Sequence, residues 1–292
     1  MGEVYAGVEL GGTKCVAILA RGPGEIVARE IVATTTPDET LGKLGEILSG
    51  WRGHGPEALG IASFGPLELD RASADYGRIA ATPKPGWAGA PVKERLERAA
   101  GVSAAFDTDV NGAAMAEMRW GSGQGFDDFA YVTVGTGIGV GLIVNGKPTR
   151  GFAHCELGHM RVPRVPGDEF AGSCPFHGDC VEGLAAGPSL HARAGTHDLP
   201  SDHPAWDSVA WALAQLCHAI VCAAAPRAIA MGGGVVSRQP HLLERVQRML
   251  VDSLNGYMRL PERQYVRAPA LGDDAGPLGA IALAMSARGS DQ

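Results

Sequence analysis

One short pattern occurs twice in this chain, and it restricts the fold more than any other feature. Residues 4–10 read as an apolar strand, Gly11-Gly12-Thr13-Lys14 as a tight turn, and residues 15–20 as a second strand. The same order returns as a strand at 130–134, a glycine turn at Gly135-Thr136-Gly137-Ile138-Gly139, and a strand at 140–144. Two halves with one opening imply a duplicated α/β unit. Glycine turns also carry chemistry, because backbone N–H groups with no side chain in the way can form a nest for an anion. Thr13 and Thr136 add hydroxyl donors, while Lys14 either adds positive charge or is simply solvated. A single Gly-Gly turn reads equally well as a plain hairpin, but two in matched positions favour phosphate. Neither turn fits a Walker-type Gly-x4-Gly-Lys-Ser/Thr motif or a Gly-x-Gly-x-x-Gly before a helix, which excludes those nucleotide-binding classes.

Between the repeats, the pattern predicts a strand at 25–33, a helix at 40–50, a buried strand at 58–63 entering Phe64-Gly65-Pro66, and a helix at 91–100 opened by proline. A strand at 103–106 then delivers Asp107-Thr108-Asp109-Val110-Asn111 to a helix running to Trp120. At that junction the Asp109 carboxylate could act as a general base or merely cap the helix. After the second repeat come an Asn145-Gly146 hairpin turn and a long helix at 206–225. A strand at 228–231 enters Gly232-Gly233-Gly234, followed by helices at 242–254 and 276–287. The expected division is an α/β domain over 1–115, joined by a C-terminal helix at 276–292, and a second α/β domain over 116–275.

A metal centre is the second strong signal. Cys174, His177 and Cys180 stand at intervals of three, and His159 lies fifteen residues upstream. Two thiolates and two imidazoles satisfy zinc tetrahedrally with no open position, which is the chemistry of a structural site. A Cys174–Cys180 disulfide is the alternative, but the first twenty residues lack the basic start and apolar run of a secretory signal. Glu156 and Glu182 bracket the cluster, and carboxylates suit a polyhydroxyl ligand because they accept from several hydroxyls. His159 can ligate through one ring nitrogen and donate to a substrate through the other. Cys15, Cys217 and Cys222 sit among apolar neighbours and read as buried thiols, whereas Cys155 has no assignment.

A length of 292 residues allows two domains, each with its own core. The net charge of −7, without a basic stripe, argues against a nucleic-acid partner. No run of about 18 apolar residues is evident, so no membrane span is expected. With the cysteine usage, these features point to the cytoplasm.

With these residues in hand, the chain resembles the ROK sugar kinases of the actin-like and hexokinase-like ATPase superfamily. Gly11–Lys14, Gly135–Gly137 and Gly232–Gly234 resemble two phosphate loops and an adenosine loop. Asp107-Thr108-Asp109-Val110-Asn111 resembles the catalytic-aspartate segment, and Glu156-x-Gly-His159 with the 174–182 knuckle resembles the zinc signature. Thr82-Pro83-Lys84-Pro85-Gly86-Trp87 and Cys-Pro-Phe-His-Gly-Asp-Cys look like the bacterial fructokinase branch. Two positions depart from the wider pattern: Glu9 stands where many relatives have Asp, and Thr108 replaces an Asn that touches sugar in many glucose-using relatives.

The resemblance implies a two-domain actin-like or hexokinase-like fold, a duplicated ribonuclease H-like unit with an interdomain cleft and a zinc-bound loop. It implies ATP-dependent phosphorylation of a hexose at its primary hydroxyl, fructose ahead of glucose or mannose, with Asp109 as general base and Asp107 as a structural residue. Gly65, Asn111, Glu156, His159 and Glu182 would hold the sugar. Mg²⁺ would accompany ATP, with Glu9 as a water-mediated neighbour, and the zinc would be structural. Lys84 and Trp87 would line the pocket or belong to a rigid surface turn. A homodimer is implied. A sugar-binding regulator is the rival reading, but the family's repressors carry an N-terminal DNA-binding domain, and the first phosphate strand here begins by residue 4.

Overall fold

In a computed structural model, which describes residues 2–196, 198–261 and 264–289, each repeated motif forms the centre of a five-stranded mixed sheet. The first sheet has the order β3-β2-β1-β4-β5, from β1 (Tyr5–Leu10), β2 (Lys14–Ala20), β3 (Ile26–Ala33), β4 (Leu59–Ser63) and β5 (Ala104–Thr108). The second has the order β10-β9-β6-β7-β8, from β6 (Phe129–Val134), β7 (Ile138–Val144), β8 (Lys147–Pro148), β9 (Ile229–Gly232) and β10 (Val266–Arg267). Strand for strand the plan is the same. In each, the glycine turn closes an antiparallel hairpin, Leu10 opposite Cys15 and Val134 opposite Ile138. The first strand of the hairpin then pairs in parallel with a later strand, β1 with β4 and β6 with β9. The duplication read from two short motifs is therefore a duplication of whole sheets.

The chain packs as two compact units, one of Met1–Gln124, Thr149–His154 and Asp273–Gln292, the other of Gly125–Pro148 and Cys155–Gly272. The expected boundary at 115/116 would cut α3 (Asp109–Trp120) in two. That helix stays whole in the first unit because it lies against α9 (Ala275–Gly289) at backbone distance: a side chain at Gly279 would begin 2.5 Å from the Gly112 carbonyl carbon. Residues 290–292 of the expected C-terminal helix lie outside the described residues.

Within the first unit, α1 (Pro37–Trp51) starts where Thr36 accepts a hydrogen bond from the Glu39 N–H and proline occupies the first turn. It buries Leu41, Leu44 and Leu48, one stripe at helical spacing. α2 (Val92–Ala100) ends at Gly101, whose φ of 75° supplies the left-handed C-terminal cap. Trp87, expected at a pocket or on the surface, is instead a core residue with 0% exposure. Its indole N–H donates to the Thr35 carbonyl at 2.9 Å and its ring meets Phe64 edge-on at 5.2 Å. Aromatic area outweighs the Pro-rich surroundings in deciding its place.

In the second unit, α6 (Ala205–Ala224) and α8 (His241–Leu254) pack together on the sheet. Among the described residues α6 is the one helix long and apolar enough to cross a bilayer, at 20 residues and mean hydropathy 1.4. It is not an unbroken apolar run, since Asp207, Ser208, Gln215 and His218 interrupt it. Trp206, Val209, Leu213, Leu216, Cys217 and Ile220 are buried in the core of this unit, so the hydropathy has a packing cause. Cys222, near the end of the same helix, is exposed rather than buried, because it falls off the stripe that Cys217, Ile220 and Val221 occupy. Three short helices, α4 (Val181–Ala185), α5 (Gly187–Ala194) and α7 (Gly234–Arg238), complete the second unit.

Candidate active site and metal centre

In the first unit the β5–α3 junction places Asp109 at the start of a helix. Thr108 is the N-cap: its hydroxyl accepts from the Asn111 N–H at 3.2 Å. Asp109 is then the first residue of the helix, with Oδ1 accepting from the Val110 N–H at 2.9 Å. Two residues earlier, Asp107 is buried; its Oδ1 accepts from the Thr108 N–H and from Asn111 Nδ2, and its Oδ2 pairs with Arg150. Asn111, expected at the sugar, is thus 4% exposed and spends its amide nitrogen on Asp107. A short polar side chain one helical turn from a buried carboxylate satisfies that carboxylate first. Gly65 lies close to the His154 ring, and His154 Nε2 accepts from the Leu67 N–H at 2.9 Å.

Glu9, at the end of β1, has its carboxyl pushed up to about 7, first by burial and then by the negative charge of Asp109; Lys14 and Arg29 act in the opposite direction. Two neighbouring carboxylates, one of them raised mainly by burial, form a donor set that suits a hard divalent cation. At the first glycine turn, the Gly11 N–H donates to the Lys14 carbonyl at 3.1 Å, so it is consumed by the hairpin. The Gly12 and Thr13 N–H groups remain, with no partner among the described residues. Lys84 brings its ammonium to this turn, donating to the Gly12 carbonyl at 2.6 Å.

In the second unit, the Gly135 N–H likewise donates to the Gly137 carbonyl, at 2.9 Å, leaving the Thr136 and Gly137 N–H groups at the turn. The Ile138 N–H donates to Glu182 Oε2 at 3.0 Å, and the Gly187 N–H donates to the Gly135 carbonyl at 2.8 Å. Gly232-Gly233-Gly234 is the β9–α7 turn. Gly233 has a φ of 86°, and a side chain there would begin 2.6 Å from the Val134 backbone, so glycine is required on two counts.

The four predicted metal ligands converge. His159, Cys174, His177 and Cys180 present one ligand atom each, all within 4.8 Å of one another. Cys174 Sγ lies 3.6 Å from His159 Nδ1 and 3.8 Å from His177 Nδ1, and Cys180 Sγ lies 3.7 Å from His159 Nδ1. Edges of about 3.5 Å are those of a tetrahedron with ordinary zinc–sulfur and zinc–nitrogen bonds. All six cysteines are free thiols, and burial pushes Cys180 up to about 11, with Cys174 as its neighbour. A buried pair of cysteines beside two imidazoles is a donor set that a zinc ion would bind as thiolates. Glu156 is exposed at the start of this segment, and Glu182 Oε1 lies 4.0 Å from His159 Nδ1.

An ion network that the sequence did not reveal pins the loop between. Arg193 grips Asp168 with two bonds of 2.7 Å and holds its carboxyl down to about 2, while the Phe170 ring lies 4.2 Å from the same guanidinium. Arg150 and Asp168 escaped notice because their partners stand 43 and 25 residues away, with no spacing signature.

The ROK family's sequence profile matches residues 5–287, nearly the whole chain. The chain belongs to the ROK family. Its ROK relatives include the fructokinase of Zymomonas mobilis, 40% identical over 294 residues that cover 98% of this chain and 97% of that protein. Among solved structures it is similar to the ROK hexokinase of Thermus thermophilus, with a TM-score of 0.81 and 28% identity over 98% of this chain and 99% of the other. It is also similar to the Streptomyces griseus ROK glucokinase solved in complex with glucose and AMPPNP, with a TM-score of 0.76 and 28% identity over 97% and 99%. These likenesses place the two sheets of this ROK protein in the actin-like ATPase fold.

Proposed function

We propose that this ROK protein is an ATP-dependent hexose kinase that phosphorylates fructose at its primary hydroxyl, giving fructose 6-phosphate. The observation that carries the reading is the 40% identity, across the full length, to a fructokinase; the glucokinase and hexokinase structures stand at 28%. Asp109 is the general base: Thr108 caps α3 through its hydroxyl, and the Asp109 carboxylate at the first helical position takes the sugar's proton. As that proton moves to Asp109, the sugar oxygen attacks the γ-phosphorus in line and ADP departs.

The remaining N–H groups of Gly12, Thr13, Thr136 and Gly137 hold phosphate oxygens, with Lys84 and Lys14 supplying positive charge. Gly232–Gly234 carries the adenosine. Mg²⁺ would supply charge neutralisation to the triphosphate, with Glu9 as a water-mediated neighbour. Glu156, His159 and Glu182 of the second unit hold sugar hydroxyls, Gly65 of the first unit is a further sugar residue, and Asn111 serves through Asp107. His159, Cys174, His177 and Cys180 hold a structural zinc ion. The protein works as a cytoplasmic homodimer, as the family resemblance implies.

A coupled ADP-release assay with Mg²⁺ and matched fructose, glucose and mannose tests the reading. A kcat/KM for fructose at least about tenfold above the others is expected, a difference of roughly 1.4 kcal/mol in transition-state binding. Higher turnover of glucose or mannose would replace the substrate, and no turnover with any hexose would favour a sugar-binding regulator.

A further inference from the structure

Resting on the kinase reading, we infer that Glu182 is a positioning residue for the second phosphate turn, and that the metal knuckle bears on the nucleotide through it as well as on the sugar. Ile138, the residue that ends this turn, is gripped on both sides of its peptide. Its N–H donates to Glu182 Oε2 at 3.0 Å. Its carbonyl oxygen faces Gly158 so closely that a side chain there would begin 1.8 Å away. Both gripping groups adjoin metal ligands, for Gly158 precedes His159 and Glu182 follows Cys180 by two residues.

The grip extends along the turn. Glu182 Oε2 lies over Gly137, where an added side chain would begin 2.6 Å from it, and the Gly135 carbonyl accepts from the Gly187 N–H. The two metal-bearing segments are joined to each other by the Val181 N–H donating to the Met160 carbonyl at 3.0 Å. Cys180 Sγ accepts from the Gly183 N–H at 3.5 Å and so caps the short helix α4 that carries Glu182. The cap, the carboxylate and the phosphate turn form one continuous chain of contacts within the second unit.

This geometry divides the work of one side chain. A carboxylate beside bound phosphate is repulsive unless its charge is occupied. Here Oε2 is occupied by the turn's own N–H, and Oε1 faces His159 Nδ1 at 4.0 Å, on the side of the metal ligands. Oε1 keeps acceptor capacity for a sugar hydroxyl, while Oε2 fixes the turn that meets the triphosphate.

The test is affinity for Mg²⁺–AMPPNP by calorimetry, with no sugar present. Metal-loaded wild type should bind, and Glu182→Ala and metal-stripped wild type should each bind about tenfold more weakly, the loss of one charge-assisted hydrogen bond. Glu182→Gln, whose amide oxygen still accepts from the Ile138 N–H, should stay within about threefold of wild type. If Glu182 were only a sugar ligand, all of these affinities would be equal without sugar, and that result would overturn the inference. Equal losses in the Gln and Ala variants would overturn it too. Circular dichroism and metal content check each protein; should Glu182→Ala fail to fold, unchanged affinity in the stripped wild type is sufficient to reject the inference. Wild type that binds no nucleotide at all would remove the kinase reading itself, which is a different outcome.

Discussion

The two glycine turns occupy the same place in the same sheet topology, yet they are held by different means. The first, Gly11–Lys14, closes β1 onto β2 and is held at its carbonyls: the Thr34 N–H donates to Thr13 at 2.9 Å, the Thr34 hydroxyl to Gly11 at 2.8 Å, and the Lys84 ammonium to Gly12 at 2.6 Å. The second, Gly135–Gly137, is fixed from three directions by backbone and carboxylate contacts from Glu182, Gly158 and Gly187. Duplication supplied the frame twice, but each half then specialised: the first carries the carboxylates, Glu9 and Asp109, and the second carries the metal ligands. One turn is held by donors to its carbonyls, the other by a carboxylate that accepts from its closing N–H and by close backbone packing.

The strongest challenge to that division is Asp109→Asn. It should lower kcat by about 10²- to 10⁴-fold while calorimetric affinity for sugar and nucleotide stays near wild type. An unchanged kcat would take the chemistry out of the first half. The brace of the second half is tested by Gly158→Ala, which sets a methyl group against the Ile138 carbonyl and should cost about 2–4 kcal/mol of stability by thermal unfolding. Gly12→Ala, with nothing within 4 Å of the added carbon, should shift stability by less than about 0.5 kcal/mol. Similar melting temperatures for the two variants would erase the contrast.

The halves should also answer pH with opposite signs. Glu9 binds its proton more tightly folded, at about 7, than in the unfolded chain at 4.5, so its contribution is present below 4.5 and is lost as pH rises toward 7. That loss is at most about 3 kcal/mol, measured by hydrogen exchange in β1 with Mg²⁺ chelated. Asp168, held at about 2 by Arg193, contributes above 3.8 and loses its effect as pH falls through 2, read in the second unit. The smallest effect concerns the two lysines. Lys84→Met should raise the ATP KM about five- to tenfold and Lys14→Met less than about twofold, because only the Lys84 ammonium is hydrogen-bonded to the turn. A reversed order would move the phosphate charge to Lys14.

Much of this was readable in the sequence, for identifiable reasons. Period-two strands closed by glycine turns, and thiols and imidazoles at intervals of three, are local signals that survive without tertiary context. The helices that carry Glu182 and Val235 were missed because five residues do not complete a hydrophobic period. Trp87 was misplaced because local proline content said nothing of the Phe64 and Thr35 partners that draw it inward. The burial of Asp107 went unread because its partner Arg150 stands 43 residues away. Side chains whose partners are remote are where a linear reading fails.

The position of α9 carries a consequence for how the protein is made. This helix lies so close to the first sheet that a side chain at Gly60 would begin 1.8 Å from the Ala280 carbonyl oxygen, and one at Gly7 would begin 3.0 Å from the Ala280 side chain and 3.1 Å from that of Ile281. β1 and β4 therefore wait for residues that follow the whole second unit in the chain before their face is covered. While the second unit is being synthesised, β1 and β4 offer a bare apolar surface to chaperones and proteases, and a premature stop near residue 270 would harm the half of the molecule that was finished first.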